Sequence, residues 1–235
     1  MIYKRLFLIL LSCCFSLNSQ ADITVSPIIV DLIGKNADTE IAVKNADTKN
    51  NTYVEITPYR LLNPADHSAP KKRIFRPDID GLLVFPAKLI LLPGQTQFIR
   101  IIKTAKSLAS DQVYEIDIIP KVSTHLVSQT NLKGLTLGVR VIVGYGARVT
   151  LRPDTPLPSL SIKRIKNKLI IKNTGNTLLN ITGCEQKISD KKVEIPLPAY
   201  TLFVGQMITK ELTQPTQVNL SASFIGKPLG PFYTD

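Results

Sequence analysis

The chain has 235 residues, of which 44% are hydrophobic, and this excludes a largely disordered protein. Its 29 lysines and arginines against 18 acidic residues give a net charge of +11, but the basic residues are dispersed and tryptophan is absent, which argues against nucleic-acid binding. No apolar run reaches the roughly 18–20 residues of a membrane-spanning helix. The basic surplus is compatible with a solvated surface or with electrostatic help in capturing a partner.

Residues 1–21 have the features of a secretory leader. Lys4-Arg5 precede an apolar segment that begins at Leu6, and Ser19-Gln20-Ala21 fits the small-x-small pattern of a cleavage site. We therefore predict export through a cleaved signal peptide. Two alternatives stay open, namely a buried N-terminal strand and lipid attachment at Cys13.

Residues 22–121 contain a series of short runs rich in alternating or β-branched apolar residues. Thr24–Leu32 is predicted to be an edge strand, because Pro27 cannot donate to a central ladder. Turn signals such as Pro93-Gly94 recur about every 8–12 residues, and no convincing helix is predicted. The pattern is typical of an antiparallel β-sandwich.

A longer alternation follows in residues 132–151. Apolar side chains occupy every second position, at Leu135, Leu137, Val139, Val141, Val143 and Tyr145. This period of two predicts a β-strand of up to roughly 15 residues, whereas a usual strand has about 5–6. An apolar strand of that length is an aggregation hazard, so we predict that its edge pairs with a partner chain. The alternative is that these side chains face the core of their own domain.

The proline-rich run of residues 152–158 is a stiff connection that marks a domain boundary. Beyond it, residues 161–172 alternate between apolar and basic positions, and a turn follows at Asn173-Thr174-Gly175-Asn176. We therefore predict two β-domains, residues 22–152 and a smaller domain of residues 153–235. The connection would fix the angle between them and leave a cleft.

The predicted mature chain has one cysteine, Cys184, because Cys13 and Cys14 lie in the leader. An intramolecular disulfide is then impossible, and the core alone must stabilise the fold. We predict a buried, unreactive thiol rather than a reactive one, since the two histidines, His67 and His125, lie in loop-like surroundings.

Catalytic and ligand-binding motifs are absent from the sequence. No nucleophile elbow, H-E-x-x-H or phosphate-binding loop occurs, and Gly144-Tyr145-Gly146 is better explained by a bulge or a close backbone approach than by phosphate binding. Asp78 and Asp80 are predicted to be solvated turn residues rather than metal ligands. We therefore predict a protein that is not an enzyme and that uses no cofactor and no metal.

Several motifs recur at a spacing typical of one protein family. Val84-Phe85-Pro86 is followed by Pro93-Gly94 and then by Arg100, while Gln112–Pro120 is a strand that ends in Ile-Pro. Ile171–Asn176 contains an Asn-Thr-Gly-Asn turn. Together these motifs resemble the periplasmic pilus-assembly chaperones, the PapD-like family. The turn and the short, proline-bearing first strand are closer to its alternate branch, the class 5 or α-fimbrial chaperones.

The resemblance implies an all-β fold in which two immunoglobulin-like β-sandwich domains form an L with a cleft between them. It also implies a periplasmic chaperone that donates apolar side chains into the groove of an incomplete fimbrial subunit, a case of β-strand addition. By position, the donated side chains are Leu135, Leu137, Val139 and, as a fourth, Val141. The implied partners are pilins, a tip adhesin and an outer-membrane usher, without ATP; self-association through the donor edge stays open.

One family feature does not transfer to this sequence. The resemblance implies two basic residues that clamp the C-terminal carboxylate of the subunit, but the matching positions hold Ile29 and Ile142. Arg140 and Arg148 are the nearest candidates on the long strand, since an arginine fork suits a carboxylate, and exposed surface charge is the alternative explanation. A secreted structural or adhesive pilus component and a secreted hydrolase are the alternatives to a chaperone.

Overall fold

The computed structural model describes residues 22–35, 37–121, 142–188 and 191–234, and this part of the chain is almost entirely β. A one-turn helix, α1, spans Pro77–Asp80. The strands are β1 Ile23–Ser26, β2 Ile29–Leu32, β3 Asp38–Asn45, β4 Thr52–Leu61, β5 Lys71–Arg73, β6 Leu82–Phe85, β7 Lys88–Leu91, β8 Thr96–Lys103, β9 Gln112–Lys121, β10 Tyr145–Leu151, β11 Leu160–Ile165, β12 Lys168–Asn173, β13 Leu179–Ile188, β14 Lys191–Glu194, β15 Thr201–Leu202, β16 Met207–Glu211, β17 Val218–Phe224 and β18 Lys227–Tyr233.

Strands β1 to β10 form a first sandwich of two sheets. The four-stranded sheet has the order β1-β3-β8-β6, and the larger sheet has the order β2-β10-β9-β4-β5 with β7 also paired to β4. Alternate side chains of these strands point inward, so that Ile41 and Ile99 of one sheet share a core with Ile116, Ile118 and Val149 of the other. The period-two alternation in the sequence is therefore the origin of this core.

Strands β11 to β18 form a second, smaller sandwich. Its sheets have the orders β11-β12-β16 and β14-β13-β17-β18, with β15 also paired to β13. A separate core contains Leu169 and Ile171 of one sheet and Cys184 and Leu220 of the other. The predicted all-β fold with two β-sandwiches is confirmed, whereas the domain boundary at residues 152 and 153 stays a prediction.

The N-terminal strand differs from its prediction. The sequence predicts one edge strand over Thr24–Leu32, whereas the structure has two, β1 and β2, separated at Pro27 and Ile28. Strand β1 pairs with β3 and β2 pairs with β10, and each lies at the edge of its sheet. The predicted position at a sheet edge is therefore confirmed, whereas the prediction of one continuous strand is wrong. The physical reason is that Pro27 has no N–H for a ladder, so the chain changes sheet there.

Three strands without apolar alternation are not predicted from the sequence. Strand β5 is entirely basic, β16 has the sequence MITKE, and β18 contains Pro228 and Pro231. Residues 187–192, which are polar apart from Ile188, include the end of β13 and the start of β14. Basic residues and prolines on edge strands discourage pairing with other chains, which explains why these edges lack a strand-like composition.

The predicted solvated turn at Asp78 and Asp80 is wrong for Asp80. Its side chain is only 8% exposed, and it accepts hydrogen bonds from the backbone N–H groups of Phe75 and Arg76 and from the Lys72 ammonium. Burial raises the pKa of Asp80, but the bonds from Arg76, Lys72 and Phe75 outweigh it, so this pKa lies below its usual value. Asp80 thus fixes the turn that precedes β6, while Asp78 is exposed.

We expect Asp80→Asn to lower the free energy of unfolding at neutral pH by about 1–3 kcal/mol, because three donors lose a charged acceptor. Since the folded pKa of Asp80 lies below 3.8, its stabilisation is complete above that pH and is lost as the pH falls through the folded pKa. Urea unfolding at neutral and acidic pH measures both effects. Asp78→Asn is the control and should change little; an equal loss in the two variants would contradict this role of Asp80.

The single described cysteine, Cys184, is 1% exposed. Burial, and to a smaller extent the charge of Glu185, raises the pKa of its thiol to about 11. The predicted burial of this thiol is confirmed, and its low reactivity stays a prediction. In the described part of the chain, the one helix is too short to cross a lipid bilayer.

Candidate functional site

The predicted donor side chains fall outside the described residues. Leu135, Leu137, Val139 and Val141 lie there, and so does the candidate anchor Arg140. Their roles stay predictions. The structure describes the chain again from Ile142, and the site is built from residues 142–151 and from the elements around them.

Strand β10 is paired more fully than the sequence predicts. It runs antiparallel to β9 over its whole length, and from Arg148 to Leu151 it also runs parallel to β2. The prediction of a free edge is therefore wrong for residues 148–151, because β2 covers that edge after the chain changes sheet. Tyr145–Ala147 pair with β9 and, among the described residues, with no strand on their other side.

The outward face of the β10 sheet lines a cavity between the two sandwiches. The cavity has a volume of about 450 Å³. Glu115, Gly146 and Arg148 contribute to one wall, and Phe203 and Gln206 of the second sandwich contribute to the other. Because Ala147, Val149 and Leu151 point into the core, the alternation of β10 places Gly146 and Arg148 on the cavity side.

Arg148 is the described candidate anchor. Its guanidinium lies 5.9 Å from the centre of the Phe203 ring, and its backbone N–H donates to the carbonyl of Ile28 over 2.8 Å. Its Nε atom is buried and has no hydrogen-bond partner among the residues that the structure describes. A buried donor without an acceptor costs roughly 1–3 kcal/mol, so the Arg148 guanidinium is not fully satisfied within the described part of the chain. The structure places Arg148 in the wall of this cavity, whereas Arg140 lies outside the described residues.

Exposed apolar side chains occur on β2 and directly before β10. Ile29, which is 57% exposed, is the register partner of Arg148 on β2. Ile28, Ile142 and Val143 are also exposed. The resemblance assigns a basic residue to the position of Ile29, so the described site offers one guanidinium beside an apolar surface rather than two basic groups.

Glu115 and Asp117 lie on the same outward face of β9. The Glu115 carboxylate forms an ion pair with the Lys71 ammonium of β5, and Asp117 Oδ1 lies 3.9 Å from the same nitrogen. The hydrogen bond to Glu115 raises the pKa of Lys71, whereas burial and the neighbouring Glu115 raise the pKa of Asp117.

A Cβ atom added at Gly146 would lie 3.1 Å from Glu115 Oε1. The missing side chain of Gly146 therefore leaves room for the Glu115 side chain of β9. The close approach of another backbone segment that the sequence predicts is wrong for Gly146.

A buried polar network joins the two sandwiches beside the cavity. The Arg152 guanidinium donates to Asp111 Oδ2 over 2.8 Å, to Asp31 Oδ1 over 2.9 Å and to Thr177 Oγ1 over 2.7 Å. Asp111 also accepts the backbone N–H of Leu178 over 2.7 Å. Burial raises the pKa of Asp111 although Leu178 and Arg152 oppose this shift. The network therefore fixes one wall of the cavity against the other.

The Lys103 ammonium extends this network. It is fully buried and donates to the Arg152 carbonyl over 2.8 Å and to Asp154 over 3.3 Å. From the sequence, Arg152 is predicted only to begin the proline-rich connection, and its hydrogen bonds to Asp31 and Asp111 are not predicted. The available signal is an arginine that ends an apolar strand directly before Pro153.

The described residues of the cavity supply a guanidinium, a carboxylate and apolar side chains. No group of three His, Cys, Asp or Glu side chains that could hold a metal ion occurs in the ranges that the structure describes. Charged groups beside apolar side chains can recognise a partner through charge and shape complementarity.

The chain shares its two-sandwich architecture with fimbrial chaperones of known structure. Searches against known protein families and against curated proteins find no match. Among solved structures, the class 5 fimbriae chaperone CfaA is 22% identical with a TM-score of 0.68, and the match covers 88% of this chain and 96% of that one.

Two structures of complexes give comparable matches. A chain of the chaperone–tip adhesin complex of CFA/I fimbriae biogenesis is 21% identical, with a TM-score of 0.69 and coverage of 91% of this chain and 97% of that one. A chain of the Salmonella enterica SafA pilin–SafB chaperone complex is 17% identical, with a TM-score of 0.57 and coverage of 92% and 97%. At the level of the fold, the predicted resemblance to fimbrial chaperones is confirmed.

Proposed function

We propose that this protein is a periplasmic chaperone that binds fimbrial subunits and keeps them folded until assembly. One observation carries the proposal: the Arg148 guanidinium, whose buried Nε atom has no partner within the described ranges, lines a cavity between two sandwiches and follows a segment with alternating apolar residues. That combination suits a partner that has both a carboxylate group and a β-sheet that lacks one strand.

The donor strand is the first part of the proposed mechanism. Leu135, Leu137, Val139 and Val141 occupy alternate positions, so an extended chain would present them on one face. Inserted into a subunit that lacks a strand, they would fill its apolar groove while the backbone supplies ladder hydrogen bonds. The exposed Ile142 and Val143 continue this apolar character up to β10.

The anchor is the second part. Arg148 would receive the C-terminal carboxylate of the subunit, because a guanidinium fork and a carboxylate form two parallel charge-assisted hydrogen bonds. Anchoring one end of the subunit fixes the register in which the donor side chains enter the groove. Arg140 remains the other candidate anchor on this strand.

The cellular setting follows from the leader and the proposed partner. A cleaved signal peptide over residues 1–21 would place the mature chain in the periplasm, where it would pass its subunits to an outer-membrane usher. Binding through burial and charge needs no ATP. The alternative, a secreted structural or adhesive pilus component, would polymerise or bind a receptor instead of holding one subunit.

Co-expression in the periplasm tests the proposal. The mature chain is produced with each candidate fimbrial subunit, and complexes are purified and sized by light scattering. We expect a stable one-to-one complex and loss of the subunit by degradation when the chaperone is absent. Polymers of this chain alone, or a subunit that is equally stable without it, would contradict the proposal.

We expect Arg148→Ala to weaken capture of the subunit by roughly tenfold to a hundredfold, because a charge-assisted pair in a half-buried site is lost. Dissociation of the purified complex measures the change. Arg100→Ala is the matched control, since Arg100 is an exposed arginine paired with Asp38 on the four-stranded sheet. Equal weakening by both substitutions would show that general positive charge, rather than this guanidinium, supports capture.

A further inference from the structure

Arg148 and Glu115 are opposite each other in the register of β9 and β10, and both lie on the cavity side. Directly opposed residues of antiparallel strands have Cβ atoms about 4.5–5.5 Å apart, and opposite charges in such positions attract. Within the described part of the chain, however, no ion pair joins them. Glu115 is paired with Lys71, and Arg148 faces the Phe203 ring instead.

Several contacts hold Glu115 away from Arg148. The Glu115 carboxylate lies over Gly146. Gly146 is the next outward-facing residue of β10 before Arg148, and its register partner on β9 is Asp117. The Lys71 ammonium that binds Glu115 is itself 3.9 Å from Asp117 Oδ1 and 5.9 Å from the centre of the Tyr59 ring. Lys71 therefore contacts Glu115, Asp117 and Tyr59. Its ion pair with Glu115 keeps that carboxylate over Gly146 and away from Arg148.

We propose that Lys71 is a positioning residue that keeps the Arg148 guanidinium available to the carboxylate of a captured subunit. The inference rests on the proposed function, because it assigns Arg148 as the anchor. Without Lys71, Glu115 is a free carboxylate directly across from Arg148, whose Nε atom has no acceptor in the part of the chain that the structure describes. The two would then form an internal pair that competes with the subunit.

The size of the effect follows from the population of the free guanidinium. A partly exposed internal ion pair stabilises the paired state by up to about 1 kcal/mol, and a more buried pair stabilises it somewhat more. The fraction of molecules in which the Arg148 guanidinium is free would therefore fall to roughly a tenth to a third. The apparent affinity for a carboxylate falls by the same factor. Lys71→Met should therefore weaken capture roughly threefold to tenfold, and Glu115→Gln in the same chain should restore it.

The first measurement needs no partner. Phenylglyoxal modifies free guanidinium groups, and mass spectrometry gives the ratio of modified Arg148 to modified Arg100, an exposed arginine on the other sheet. We expect Lys71→Met to lower this ratio roughly threefold to tenfold, and Lys71→Met with Glu115→Gln to return it to the wild-type value. Glu115→Gln alone should not lower it.

Two further variants separate positioning from structural damage. Lys71→Arg keeps the positive charge and should keep the ratio, whereas Lys72→Met removes a neighbouring charge that binds Asp80 and should leave the ratio unchanged. A ratio that does not respond to Lys71→Met, or that Glu115→Gln does not restore, overturns the proposal.

The second measurement uses the fimbrial subunit captured in the co-expression test. Capture should follow the modification ratio through the same four chains: wild type, both single variants and the double variant. If the ratio responds while Arg148→Ala leaves capture intact, the anchor assignment fails and the inference fails with it, although the charge coupling stands. If Arg148→Ala weakens capture while Lys71→Met does not, Lys71 is not the positioning residue and the proposed function survives.

Discussion

Replacing Arg152 with alanine is expected to lower the free energy of unfolding by about 3–5 kcal/mol, because it leaves a buried carboxylate without its cation. The side chains of Arg152 and Asp111 are 3% and 2% exposed, so water cannot replace the lost partner. Asp111 would keep only the Leu178 N–H and the Thr177 hydroxyl as donors. Urea unfolding at neutral pH, followed by circular dichroism, measures the loss.

The pH dependence of that loss has a definite sign. Burial already raises the pKa of Asp111 above its usual value, and removing Arg152 would raise it further. The folded variant then takes up a proton more readily than the unfolded chain, so the variant recovers stability relative to wild type as the pH falls. Arg100→Ala, which breaks the exposed pair with Asp38, should cost less than about 1 kcal/mol. Similar losses in the two variants would contradict the importance of the buried network.

The second large effect is expected at Leu137. Leu137→Asp should abolish capture of a fimbrial subunit, because a carboxylate in an apolar groove has no partner and costs several kcal/mol or more to bury. The folded stability of the free chaperone should change little, and unfolding in urea checks this. Gln129→Asp, a polar position before the alternating segment, is the matched control for added charge. Capture that survives Leu137→Asp would exclude donation through this side chain.

Local pattern predicts much of the fold. The alternation of β9, with Ile116 and Ile118 inward and Glu115 and Asp117 outward, is visible in the sequence and matches the structure. The choice of sheet partners is not visible, because pairing depends on residues far apart in the chain. The division of the first strand at Pro27 and the cover that β2 gives to β10 are both consequences of that non-local choice.

The candidate site shows the same limit. Arg148 could be named from its place on the long strand, since an arginine among apolar residues stands out. Its contact with Phe203 comes from the second sandwich, and its separation from Glu115 depends on Lys71 of a three-residue edge strand. The Arg152 network joins residues more than 120 positions apart, at Asp31 and Arg152, which no short motif reveals.

The most direct test of the account is a parity experiment on the proposed donor segment. A photo-crosslinking residue is placed in turn at positions 135, 136, 137, 138 and 139 of the chaperone, and each chain is irradiated in complex with its subunit. Because side chains of an extended strand alternate between two faces, the account predicts crosslinks into the subunit core from positions 135, 137 and 139, and few from positions 136 and 138. Crosslinks of equal strength at all five positions, or crosslinks only within the chaperone, would contradict it.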